Sequence, residues 1–360
     1  MTTEQLPGTA PLATTPATPA EVAPADAAPA EAVPAEAAPA EPVPAEPAAA
    51  GHVAVGLPEP GEQLRLLHVH AHPDDESSKG AASSAKYVAE GLSVTVVSCT
   101  GGEAGSILNA AMDRPEVVAN LAAVRRAEMA EAARVLGVDH VWLGFVDSGL
   151  PEGDPKPELP AGCFALVPLE ESTRALVEVL RRVRPHVVTT YDESGGYPHP
   201  DHIRCHEVSV AAFDAVGDPA RFPDAGPAWQ PAKLYYHRSF SRSRIMRLHE
   251  AVEARGLPSP YTDRIKEWLE KAEAEGEPIV LDTDAQLTTR VPAADYFAVR
   301  DRALIAHATQ IDPLSGWFSV PLDVQAEAWP TEDFELARSL VATTLPEHDL
   351  FAGLRPEGTA

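Results

Sequence analysis

The first sixty residues contain no lysine or arginine. They hold few large apolar side chains, and a Pro-Ala-acid pulse recurs from Pro19-Ala20-Glu21 through Pro29-Ala30-Glu31 to Pro44-Ala45-Glu46. Proline this frequent interrupts helix and sheet hydrogen bonding, and too little apolar surface exists to offset the entropy of ordering. Residues 1–62 therefore read as a disordered, acidic Ala/Pro/Glu tail, and residues 63–355 as a single domain. Basic charge is scarce beyond the tail as well. The formal charge is −26; eight acids sit in the first sixty residues, which leaves −18 for the rest. A body so acidic argues against a nucleic-acid partner, because phosphate binding needs a positive surface.

Other absences narrow the class further. No run approaches the roughly 20 apolar residues that span a bilayer, so no membrane partner is expected. The tail has neither the basic start nor the apolar segment of a secretory signal. Three cysteines, Cys99, Cys163 and Cys205, cannot all pair, and Cys205 reads as a core thiol. The expectation is a protein of the reducing cytoplasm.

What is present alternates between strand and helix. Leu64 to His70 is an apolar run stopped by Pro73, and Leu92 to Cys99 is a second. Between them Ser77 or Ser78 would cap a helix running to about Glu90, with Gly91 as its stop. A helical stripe covers Glu116 to Leu136, followed by a strand at Val141–Phe145 and a long Pro-rich loop from Pro151 to Pro168. A helix over Glu170–Arg184 and a strand over His186–Tyr191 come next. The pattern gives an α/β fold: a Rossmann-like, mostly parallel sheet flanked by helices. Beyond Arg242 the chain reads as a helical C-terminal elaboration, with helices at 242–255, 263–274 and 295–307 and a strand at 287–291.

Two clusters carry the chemistry. His72-Pro73-Asp74-Asp75-Glu76 follows the first strand, and Tyr197-Pro198-His199-Pro200-Asp201-His202 follows the last named one. Open parallel sheets bind ligands at the carboxyl ends of their strands, so the clusters can meet. His72, Asp75 and His202 would supply two imidazoles and a carboxylate, the open three-ligand pattern of catalytic zinc. The same donors also suit iron(II). Asp74, beside a ligand, would move protons, and His199 as a cation would stabilise a tetrahedral oxyanion. Those roles predict hydrolysis of an amide or ester. Activity would then fall on the acid side as Asp74 gains a proton, and on the alkaline side as His199 loses one. His68 and His70, inside the strand, read as packing or supporting residues, and Glu76 as an anchor of the turn.

Together, Ala71-His72-Pro73-Asp74-Asp75-Glu76 and His199-Pro200-Asp201-His202 resemble the LmbE-like/PIG-L family of zinc N-deacetylases. The resemblance runs over roughly residues 64–352. It implies Zn²⁺ on His72, Asp75 and His202, with Asp74 as general base and then acid. It further implies His199 and a mobile Tyr197 at the oxyanion, Asp201 orienting His199, and Glu103, Arg125 and Asp147 holding sugar hydroxyls. Arg125, with Arg126 beside it, keeps an Arg-x-x-Glu spacing to Glu128. Lys79 would meet the substrate; together with Thr100-Gly101-Gly102-Glu103 and His307-Ala308-Thr309-Gln310 it resembles members that cleave mycothiol S-conjugates, small thiol conjugates. The other readings are a deacetylase of N-acetylglucosaminyl-inositol and a metal-dependent sugar-conjugate binding protein. The oligomeric state is not specified.

Overall fold

The computed structural model describes residues 44–47, 49–276, 278–279, 281 and 286–355. The tail expected over 1–62 lies outside that range up to residue 43. Its last part is held by the body. Glu46 N–H donates to Ser339 O at 2.9 Å, Val53 N–H to Gly217 O at 2.8 Å and Gly56 N–H to Gln230 O at 2.8 Å. Gly56 lies so close to the Trp229 ring that a β-carbon there would come within 2.1 Å of it. Packed chain thus begins well before residue 63, because backbone bonds and one indole capture a segment whose side chains predict no structure.

The core is a seven-stranded sheet in the order β3-β2-β1-β4-β5-β7-β6. Its parallel strands are β1 (Arg65–His70), β2 (Ser93–Thr100), β3 (Asp139–Phe145), β4 (Val187–Thr190) and β5 (Lys233–His237). An antiparallel pair, β6 (Thr289–Pro292) and β7 (Thr331–Ser339), extends the sheet beyond β5. Strand β1 is buried on both faces, and Leu66, Leu67 and Val69 therefore do not alternate with exposed residues. Leu67 and Val69 face a core shared with Leu176, Leu180 and Val208, while Leu66 faces Tyr87, Tyr235 and Phe334.

The helices are α1 (Asp75–Ser78), α2 (Ala81–Ala89), α3 (Pro115–Val118), α4 (Leu121–Leu136), α5 (Leu169–Val183), α6 (Pro200–Val216), α7 (Arg242–Ala254), α8 (Thr262–Glu275), α9 (Phe297–Ala306) and α10 (Leu322–Ala328). Two expected helices are broken. The one read from Ser77 to Glu90 stops at Lys79, and Gly80 restarts it with φ 82°. A β-carbon on Gly80 would lie 2.8 Å from His237 Cε1, so the break makes room for that imidazole. The stripe from Glu116 to Leu136 divides at Ala119-Asn120 into α3 and α4. The C-terminal elaboration is helical as expected, and its strands join the main sheet.

The chain leaves β1 toward β2 and β3, then returns on its other side as β4 and β5. Strand order therefore reverses between β1 and β4, and the carboxyl ends there border the crevice where open α/β sheets place ligands. Among the described residues, no helix is long and apolar enough to cross a membrane.

Candidate metal centre

Both clusters arrive at that reversal. His72 and Asp75 come from the turn after β1, and His202 from the first turn of α6, which follows β4. His72 Nδ1 lies 3.5 Å from Asp75 Oδ2, His202 Nε2 lies 3.4 Å from the same oxygen, and the two nitrogens are 3.3 Å apart. Bonds of about 2.0–2.1 Å in a tetrahedral shell put donor atoms roughly 3.3–3.4 Å apart, so this triangle fits one face of such a shell. The outer atoms fix the tautomers. His202 Nδ1 donates to Gly195 O at 2.9 Å, and His72 Nε2 to Asp201 Oδ2 at 3.2 Å, so the inner nitrogens are the ones a metal would take. Gly195 has no substitute here, since its φ is 71° and a β-carbon would sit 2.7 Å from His202 Cβ.

Charge at the triad also suits a cation. Burial opposes a charge on His72, yet the nearby carboxylates of Asp147, Asp201 and Asp75 lift its pKa well above the usual value. Asp75 stays ionised despite burial because Lys79 and His202 hold it well below the carboxylate range. A divalent ion would take over the role that the proton on His72 plays without it.

Asp74 stands beside the triad in a backbone conformation rare for its type, φ 108°. The strain is held by Glu76, whose Oε2 accepts the Asp74 N–H at 2.9 Å while Oε1 takes His307 Nε2 at 2.7 Å. Glu76 is thus the anchor that the sequence suggests. His307 went unassigned in sequence because nothing local marks a histidine some 230 positions away as its partner. Burial, then the charge of Asp75, raises the Asp74 pKa to about 7. That suits a group which must both take and give a proton.

Two expected roles change. The Asp201 carboxylate serves His72 and not His199: it also accepts from Ser148 N–H at 2.9 Å and from the Ser148 hydroxyl. His199 caps α6, its Nδ1 accepting the Asp201 N–H at 3.1 Å. A ring that accepts there is neutral, with its proton on Nε2; burial and the nearby His72 push its pKa down to about 4. His199 is an N–H donor and not a standing cation, so the alkaline fall expected from its deprotonation has no basis. Tyr197 is half exposed, its ring centroid 4.6 Å from that of His202. Burial and the charge of Asp75 raise its pKa to about 12, which keeps the phenol protonated.

Lys79 is buried, and Nζ binds Asp75 Oδ1 at 2.7 Å and Ser78 Oγ at 3.1 Å. Its ammonium is thus taken up by the Asp75 carboxylate, one of the three converging groups. The other expected contacts lie beyond β2 and β3. Asp147 N–H donates to Glu103 Oε1 at 3.1 Å, and Asp147 accepts from Ala104 N–H at 2.9 Å. Arg125 is buried and donates to Gly105 O and Ser106 O at 3.1 and 3.0 Å, whereas Arg126 lies exposed over the Trp142 ring. Tyr191, read in sequence only as the end of a strand, stacks on His202 at 4.3 Å and accepts the Ala71 N–H at 2.9 Å.

A second trio, His68, His70 and His237, lies deeper. Ser84 Oγ donates to Gly80 O at 2.7 Å and so accepts from His68 Nε2 at 3.0 Å. His68 Nδ1 then accepts from Thr189 Oγ1 at 2.6 Å, and that hydroxyl accepts from His237 Nε2 at 2.9 Å. His70 stacks against both rings with neither nitrogen hydrogen-bonded. Cys99 and Cys205 are buried thiols beneath the site, 3.7 Å apart.

Residues 67–213 match the family model described as PIG-L: GlcNAc-PI de-N-acetylase. Over 297 residues the chain is 56% identical to the mycothiol S-conjugate amidase of Streptomyces coelicolor, covering 82% of this chain and 98% of that protein. Over 315 residues it is 40% identical to a 1D-myo-inositol 2-acetamido-2-deoxy-alpha-D-glucopyranoside deacetylase of Thermobispora bispora, covering 81% and 98%. Among solved structures, the N,N'-diacetylchitobiose deacetylase of Pyrococcus horikoshii shares the fold at a TM-score of 0.51 and 18% identity, covering 83% of this chain and 89% of that one. With this agreement in sequence, fold and donor geometry, the chain belongs to the PIG-L family.

Proposed function

We propose that this chain is a zinc-dependent amidase of the cytoplasm. It hydrolyses mycothiol S-conjugates to an N-acetylcysteine S-conjugate and glucosaminyl-inositol, and so serves detoxification. The observation that carries the amide chemistry is the 3.3–3.5 Å donor triangle with Asp74 beside it and outside it. The substrate follows from 56% identity to the Streptomyces coelicolor amidase along nearly all of its length, against 40% to the Thermobispora bispora deacetylase.

His72, Asp75 and His202 would hold the zinc. When bound, it supplies Lewis acidity and lowers the pKa of a water toward about 7. Asp74 takes a proton from the attacking water as its oxygen adds to the amide carbonyl. His199 Nε2–H and the Tyr197 hydroxyl donate to the oxyanion that forms. Asp74 then returns the proton to the departing glucosamine nitrogen, and the C–N bond breaks. Glu103, Arg125 and Asp147 shape the polar side of the crevice for hydroxyl-rich glucosaminyl-inositol.

A two-substrate assay on one metal-analysed preparation tests this. Bimane-labelled mycothiol should release its acetylcysteine conjugate much faster than N-acetylglucosaminyl-inositol releases acetate. The reverse order would make the chain a deacetylase.

A further inference from the structure

A cavity of about 620 Å³ opens beside the triad, on the β5 and β7 side. Gly196, Tyr197 and Ser78 form its shared edge with the metal centre, and Phe240, Tyr261 and Trp317 supply aromatic wall. Phe240 and Trp317 are 41% and 42% exposed, with ring centroids 5.7 Å apart in an edge-to-face pair. Leaving two large rings open to water is costly unless something apolar covers them in use. The wall begins close to the chemistry: Lys79 Nζ, 2.7 Å from Asp75 Oδ1, lies 5.5 Å from the Phe240 ring centroid.

The strand order sorts the two flanks of the centre. Glu103, Arg125 and Asp147 follow β2 or lie beside β3, on one side of the reversal; Phe240 follows β5, on the other. An amide bond seated at the triad therefore has one half over the Glu103, Arg125 and Asp147 rim and the other toward the aromatic wall, in a cavity that Arg244, Arg300, Glu332 and Asp333 also line. In a thiol conjugate the hydroxyl-rich sugar lies on the nitrogen side of that bond. The sulfur substituent lies on the carbonyl side.

We propose that the Phe240–Trp317 cleft is the subsite for the group carried on the cysteine sulfur, and that it selects apolar, preferably aromatic, substituents. This rests on the amidase reading given above. At about 620 Å³ the cleft falls in the range of ordinary small-molecule sites and has room for a fused ring system.

The test compares kcat/KM for an S-benzyl and an S-methyl conjugate of mycothiol in the wild type, Trp317→Ala and Trp317→Phe. The wild type should favour S-benzyl, Trp317→Ala should lower the benzyl-to-methyl ratio roughly tenfold, mostly through KM, and Trp317→Phe should restore most of it. A ratio that Trp317→Ala leaves unmoved overturns the subsite. Product inhibition gives a readout independent of turnover: S-benzyl-N-acetylcysteine should inhibit more strongly than its S-methyl analogue, and the difference should shrink in Trp317→Ala. Equal inhibition by both overturns the proposal. A wild type that cleaves neither conjugate defeats the amidase reading itself, an outcome distinct from a cleaving enzyme with an indifferent Trp317.

Discussion

Three histidines stand at alternate positions along one strand and its exit, and they meet opposite fates. His68 and His70 end up in a neutral buried stack, whereas His72 converges with Asp75 and His202. Side-chain type and period are the same for all three. What differs is company: hydroxyls of Ser84 and Thr189 in one case, carboxylates in the other. Hydroxyls complete the hydrogen bonds of His68 and concentrate no negative charge, while His70 is held by ring stacking alone. Carboxylates fix a ring's outer nitrogen and create a field that calls for a cation.

Changing the carboxylates should have the largest effect. Asp75→Ala should lose both metal and activity, by at least about a thousandfold in kcat/KM. Asp74→Asn should lose a comparable share of kcat while metal analysis stays at the wild-type level. In the wild type, activity should fall on the acid side, because Asp74 must be unprotonated to accept the proton; without metal, burial and the charge of Asp75 put its pKa at about 7. A bound cation would shift that limb downward. A profile flat to pH 5 would remove Asp74 from the role.

Next comes the outer contact. Asp201→Asn should weaken metal affinity by roughly 10–100-fold, read by competition with a chelator, since His72 would lose its fixed tautomer. Unchanged affinity would mean that the Ser148 contact is the real function of this acid.

The deep trio should respond in stability and not in metal content. Thr189→Val strands a ring nitrogen on each of two buried imidazoles and should cost about 1–3 kcal/mol of unfolding free energy, with zinc stoichiometry unaltered. A gentler probe is pH. Burial depresses the pKa of His68 to about 3 and of His70 to about 4, and holds His237 well below 6.5. Below the unfolded value near 6.5 the unfolded chain gains protons that the folded trio refuses, so stability should fall as pH is lowered from 7 toward 5. Thermal melts of His237→Phe should show a shallower fall over that window.

Much of this was legible because strong local signals coincided with global placement. Strand β1 reads as buried from Leu66, Leu67 and Val69, and Pro73 marks its end. The two His-Pro-Asp clusters single out His72, Asp75 and His202 by residue type and spacing, and the structure brings these three together. Contacts between distant segments were hidden. Nothing near Asp201 shows that its carboxylate turns to His72, or that His199 spends a lone pair capping its own helix. Gly80 resembles an ordinary helical glycine until His237 is brought against it. Strand β7 mixes buried and half-buried positions without clean alternation, so it escaped a period-of-two reading.

The backbone bonds of the segment from Glu46 to Gly56 bear on how the protein can be trimmed. The described contacts of this segment begin at Glu46, whose N–H donates to Ser339 O. Cutting at residue 62 would strip the covering from Trp229 and leave the Gly217 and Gln230 carbonyls without their donors, turning a solubility edit into a destabilising one.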